Sequence, residues 1–77
     1  MMQKWEYMVV IFEMTAQNEM KPRYIHETEV PNWQAEGGLP KFLAVAGENG
    51  YELVTMTDLF GSSPQQREAI FKRPKGT

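Results

Sequence analysis

Leu39-Pro40-Lys41-Phe42-Leu43-Ala44-Val45-Ala46-Gly47-Glu48-Asn49-Gly50-Tyr51-Glu52-Leu53-Val54 is where the hydrophobic period of this chain changes. Leu39, Phe42, Leu43 and Ala46 fall at i, i+3, i+4 and i+7, the spacing that lines one side of a short amphipathic helix. Pro40 suits the first turn, because the N–H it lacks would have had no partner there. Asn49-Gly50 ends the helix, since glycine takes the left-handed C-cap conformation without steric cost. From Tyr51 to Phe60 the pattern is that of a strand. Gly61-Ser62-Ser63-Pro64 turns the chain, and Gln66 to Arg73 forms another strand that breaks at Pro74.

Upstream, Lys4 to Met14 holds Trp5, Tyr7, Val9, Val10, Ile11 and Phe12 with no Gly or Pro, which predicts a long strand. Its odd positions are apolar from Trp5 to Ile11, and its even positions become apolar from Met8 onward. Thr15 to Pro22 reads as a connection. Arg23 to Val30 reads as a weaker strand at a sheet edge, and Pro31 and Gly37-Gly38 bracket a loop that carries Trp33. The expected fold is one α+β domain over residues 1–77: a mostly antiparallel sheet of three to four strands with one short helix packed on one face. Its order is β-β-α-β-β, or β-α-β-β without the second strand.

Composition excludes several function classes. The 77 residues contain no cysteine and one histidine, His26, so disulfides, thiolate metal sites and a structural zinc are not expected. A formal net charge of −2 gives no general attraction to phosphate backbones or anionic membranes and argues against nucleic acid as a partner. The apolar run Tyr7 to Phe12 is too short for a signal-peptide core, and no run approaches the roughly 20 residues of a membrane span. A cytoplasmic location is the expectation that follows. A chain of this size rarely gains more than about 3–5 kcal/mol from its core, and without disulfide or metal, self-association is the stabilising device left.

Three segments, Lys4-Trp5-Glu6-Tyr7 with Val9-Val10, the frame Leu43, Gly47, Gly50, Glu52, Leu53, Val54, and Phe71-Lys72-Arg73-Pro74, stand in this order along the chain. As an ordered set they resemble a widespread family of very short bacterial and phage proteins catalogued as a domain of unknown function. The chain departs from that pattern at Ala46, where the family has Leu, at Asn49, where it has Glu, and at Tyr51, where it has Trp. Its stretch from Thr15 to Gly38 is also longer than the family's linker. The resemblance implies a β-α-β-β core and brings no activity with it. Read as residues alone, the same positions are fold instructions: Gly47 is expected to let the helix end approach the sheet closely, and Gly50 to turn the chain.

No catalytic constellation emerges. On a strand, His26 and its neighbours Glu27 and Glu29 face apart, which spoils convergent metal ligation or acid–base work. Gly61-Ser62-Ser63-Pro64 lies between strands and not before a helix, so it reads as a hairpin turn and not a phosphate cradle. No spacing singles out a pair among Glu6, Glu13, Glu52 and Asp58. Lys21-Pro22-Arg23-Tyr24 and Lys72-Arg73-Pro74-Lys75 are basic spots within an acidic total. Neither a catalytic residue nor a cofactor is expected.

The expected function is therefore a small non-enzymatic interaction module that self-associates as a dimer, with room for a further protein partner. The expected contact surface is Met8, Val10 and Phe12, apolar residues on what is taken to be the strand face that the helix leaves open. Within one chain, the alternative cover for them is the Thr15 to Gly38 segment with Trp33. The alternative function is a small-molecule or peptide binder using a groove between helix and sheet lined by Trp5, Tyr7, Trp33 and Tyr51, and after it nucleic-acid binding through the basic C-terminal end, Lys72-Arg73-Pro74-Lys75.

Overall fold

The computed structural model describes residues 2–61 and 63–76. Along the chain run β1 (Trp5–Met14), β2 (Met20–Ile25), β3 (Thr28–Glu29), a 3₁₀ turn (Trp33–Ala35), α1 (Leu39–Glu48), β4 (Glu52–Leu59) and β5 (Gln66–Pro74). Among the described residues the strands form one five-stranded sheet in the order β3-β2-β1-β5-β4, antiparallel at every pairing. The fold is α+β as expected, with one strand more than the expected three or four. Among the described residues no helix is long and apolar enough to cross a membrane.

The extra strand comes from the segment read as one edge strand over Arg23 to Val30. The chain instead forms β2, turns at His26-Glu27 and returns as β3, with Ile25 opposite Thr28. His26 (φ 50°) and Glu27 (φ 67°) both lie in the left-handed region, the backbone of a two-residue hairpin that Asn-Gly usually fills. Neither residue advertises that turn, which is why the sequence pattern passes over it. Pro22, read as the end of a connection, is buried inside β2, where it stands beside the register shift between Ile11 and Phe12 of β1.

Ridge and core follow from β1 and β5, which pair from Trp5↔Pro74 to Glu13↔Gln66. The even residues of β1 stand beside Ala69 and Phe71: Met8 is opposite Phe71 and Val10 opposite Ala69. Val10, Phe12, Met20, Ala46, Ala69 and Phe71 form the buried core, with Val10, Phe12 and Ala69 at 0% exposure. Phe42 of α1 meets Phe12 edge to face at 5.2 Å and lies 5.6 Å from Phe71.

This corrects the expected contact surface. Met8, Val10 and Phe12 are not an open face; they are the floor on which α1 packs. The reason lies on the neighbouring strand. On this side β5 offers Ala69, small enough for a helix to come close, and Phe71, whereas on the other it offers Glu68 and Lys72, which a helix would bury at high cost. Trp33 is not the cover of Met8, Val10 and Phe12, since it packs on Arg23; the Thr15 to Gly38 segment extends the sheet edge through β2 and β3 and adds Met20 to the core.

The helix ends as expected at Gly50, which has φ 85°. The Tyr51 N–H donates to the Ala46 carbonyl and the Gly50 N–H to the Gly47 carbonyl, both at 2.9 Å, the two bonds of a Schellman cap. Gly50→Val should lower the unfolding free energy by about 1–3 kcal/mol, read as a shifted urea midpoint, because a β-branched residue is strained at that φ. Gly47 does not have the role expected of it. It is exposed, and a Cβ there would meet nothing within 4 Å, so it mediates no close approach to the sheet.

Candidate functional site

The outer face of the sheet, opposite α1, is built from the odd residues of β1 and their cross-strand neighbours. Three rows define it: Tyr7 beside Lys72, Val9 beside Ile70, and Ile11 beside Glu68 on β5. β4 continues these rows with Glu52, Thr55 and Thr57, and β2 adds Tyr24 beside Ile11. Trp5 is 40% exposed and Tyr7 54%, although both are large aromatic residues on the central strand of the fold. Val9, Ile11 and Ile70 are half-buried, and Val9 and Ile11 line a cleft with Glu68 and the turn residues His26 and Glu27. The Lys72 ammonium sits 4.2 Å from the centre of the Trp5 ring and 3.7 Å from the Glu52 carboxylate.

The groove between helix and sheet is a different set from the one expected. A cleft of about 350 Å³ is lined by Met8, Ile25, Phe42, Val45 and Tyr51, with Arg73 at one end. Of the four aromatics expected there, only Tyr51 is present. Trp5 and Tyr7 point to the outer face, and Trp33 packs on Arg23, whose guanidinium lies 4.9 Å from both the Trp33 and the Tyr24 rings. Glu13 and Glu29 complete that clamp as ion-pair partners of Arg23, tying the 3₁₀ turn to β2.

The two basic spots are engaged within the chain. Arg23 is held as just described, and Lys21 donates to the Gln34 carbonyl. The Arg73 Nε donates to Glu6 at 2.9 Å and its Nη1 to the Asn49 carbonyl at 2.8 Å, while its guanidinium stacks 4.3 Å from the Tyr51 ring. The hydrogen bond from Arg73 holds the Glu6 carboxyl below its ordinary value. A depressed carboxylate contributes stability above its unfolded pKa, about 4.3, and loses it as pH falls through the lower folded value. A carbon-detected titration should therefore place Glu6 below the ordinary glutamate range, and Arg73→Gln should return it to that range.

His26 and Glu27 occupy the β2–β3 turn and not a strand, and the His26 N–H donates to the Val9 carbonyl at 2.9 Å. Among the described residues no group of three His, Asp or Glu side chains lies close enough to hold a metal. The hairpin turn at Gly61 to Pro64 includes Ser62, which lies outside the described residues.

Sequence reading missed Glu68, Ile70 and Lys72 as members of an open face. The signal was the alternation along Glu68-Ala69-Ile70-Phe71-Lys72, in which the charges share a face with Ile70. Comparison with protein-family models, with curated proteins and with solved structures finds no match.

Proposed function

We propose that this chain is a small non-enzymatic module that self-associates through the outer sheet face, one copy laid against another. The observation that supports this reading most is the uncovered stripe Trp5, Tyr7, Val9, Ile11 on the central strand, with Ile70 beside it. The one α-helix among the described residues lies on the other side. A chain of 77 residues packed as a sphere-like domain has a radius of gyration of about 11.5 Å. Here it is 13.2 Å, and the extents are 47 × 24 × 19 Å, those of an elongated body. A face of that length can supply the roughly 800 Å² per partner of an ordinary stable interface.

The charge pattern favours a second copy as the occupant. On β5, Glu68 and Lys72 stand at equal distances on either side of Ile70. A two-fold axis lying in the interface, perpendicular to the strands and through the Val9–Ile70 row, places Lys72 of each copy over Glu68 of the other. It also places Ile11 over Tyr7. The surface is thus complementary to itself, as a two-fold contact requires.

A charge exchange tests this reading. Lys72→Glu and Glu68→Lys should each weaken dimerisation by roughly tenfold or more, since each replaces two attractive contacts by two repulsive ones. The double variant should recover most of the loss. Sedimentation equilibrium reads the three constants; a double variant no tighter than the single ones would refute the arrangement.

A further inference from the structure

We infer that the first half of β1 is a strand-addition site for an extended segment of another protein. The position is set by where β2 stops. It pairs with β1 only from Met14↔Met20 to Val10↔Ile25, and the His26 N–H to Val9 carbonyl bond is the last rung before the chain turns away. From Trp5 to Met8, β1 has β5 on one side and, among the described residues, no strand on the other. Backbone groups alternate in direction along a strand. Val9 points its carbonyl toward β2, so Tyr7 and Trp5 present their N–H and C=O groups along the same open edge. An antiparallel segment there would exchange two pairs of hydrogen bonds.

This ledge is unlike the other edges of the sheet. β3 is only two residues long. β4 is eight residues long but bends at the irregularity between Leu53 and Thr55 and carries the acidic Glu52 and Asp58, devices that blunt an edge. The ledge has a receptor for side chains beside it. On the helix side, Met8, Ile25, Phe42, Val45 and Tyr51 line the cleft of about 350 Å³, which takes a large apolar side chain. On the outer side, next to the ledge along β1, a cleft of about 370 Å³ is lined by Val9, Ile11, His26, Glu27 and Glu68; Glu27 forms no ion pair among the described residues, and the two carboxylates suit a cation.

A second copy of β1 fits badly. The register that satisfies Trp5 and Tyr7 sets Glu6 against Glu6 and sends the Lys4 ammonium over Met8 into the apolar cleft. The occupant is therefore a segment of another protein with an apolar residue opposite Met8 and a basic residue opposite Tyr7, bound by main-chain bonds with alternate side chains in pockets. The outer cleft shares Val9, Ile11 and Glu68 with the contact of the proposed function, but the main-chain edge of Trp5 and Tyr7 is a different surface, and the test reads that edge directly.

The probe is acetyl-Leu-Lys-Val-Thr-amide, added to the full chain in millimolar excess and followed by amide resonances and hydrogen exchange. It should shift Trp5 to Met8 and Val45 and slow exchange at Trp5 and Tyr7 by roughly fivefold or more, as added main-chain bonds do. Methylating the lysine amide of the peptide, or substituting the exposed Val45→Glu, should remove these effects. No shift at about 5 mM peptide, beyond the weak end of specific affinity, would overturn the inference. So would equal binding of the methylated peptide, or shifts confined to β4. The mass from light scattering reports the self-association reading independently of all these outcomes.

Discussion

Val10→Glu should leave no folded protein, whereas Val9→Glu, one residue away, should leave the fold intact and change only its association. Val10 is at 0% exposure, set between Ala69 and Ile25 on the helix side of the sheet, where a carboxylate would reach neither water nor a cation. Burying an unpaired charge costs several kcal/mol after relaxation, which matches or exceeds the roughly 3–5 kcal/mol a core of this size supplies. At Val9 the side chain faces outward and a carboxylate can hydrate. Far-ultraviolet circular dichroism separates the two: a random-coil spectrum for Val10→Glu, and a native one for Val9→Glu with a smaller mass in solution. A folded Val10→Glu would mean that α1 covers the wrong face.

Phe71→Ala carries the next largest expected loss, about 3–5 kcal/mol, the usual range for removing a fully buried ring. Phe71 is 1% exposed, stands opposite Met8 and contacts Phe42, so its loss opens a cavity beneath the helix. For a domain of this length each kcal/mol is worth roughly 4–8 °C in Tm, so the variant should melt at least about 12 °C lower. Ile70→Ala, adjacent in sequence but on the outer face, should cost about 1 kcal/mol in the monomer and act mainly on association. Similar melting losses for the two variants would contradict the assignment of the two faces.

The helix, its glycine cap and three of the strands were legible because each has a local cause. The period of Leu39, Phe42, Leu43 and Ala46, the freedom of Gly50 and the β-branched and aromatic run of β1 act within a few residues. Two features were not legible for the opposite reason. The His26-Glu27 turn is held by the pairing of Ile25 with Thr28 and by the bond to Val9, a tertiary restraint that overrides the preference of both residues for φ below zero. The choice of face on β1 is not in β1, since Val9 and Ile11 are as apolar as Val10 and Phe12. It is decided by Ala69 and Phe71 on one side of β5 and by Glu68 and Lys72 on the other. Reading β1 alone places the open face at Met8, Val10 and Phe12; reading the pair β1 and β5 together places it at Tyr7, Val9, Ile11 and Ile70.

The central claim, that two copies meet through this outer face, is tested most directly by light scattering during size-exclusion chromatography at tens of micromolar chain. The mass should be twice the 8.9 kDa of a single chain and should fall to that of one chain in Val9→Glu, with the native spectrum retained. A wild-type mass of one chain, or a dimer mass untouched by Val9→Glu, would contradict it.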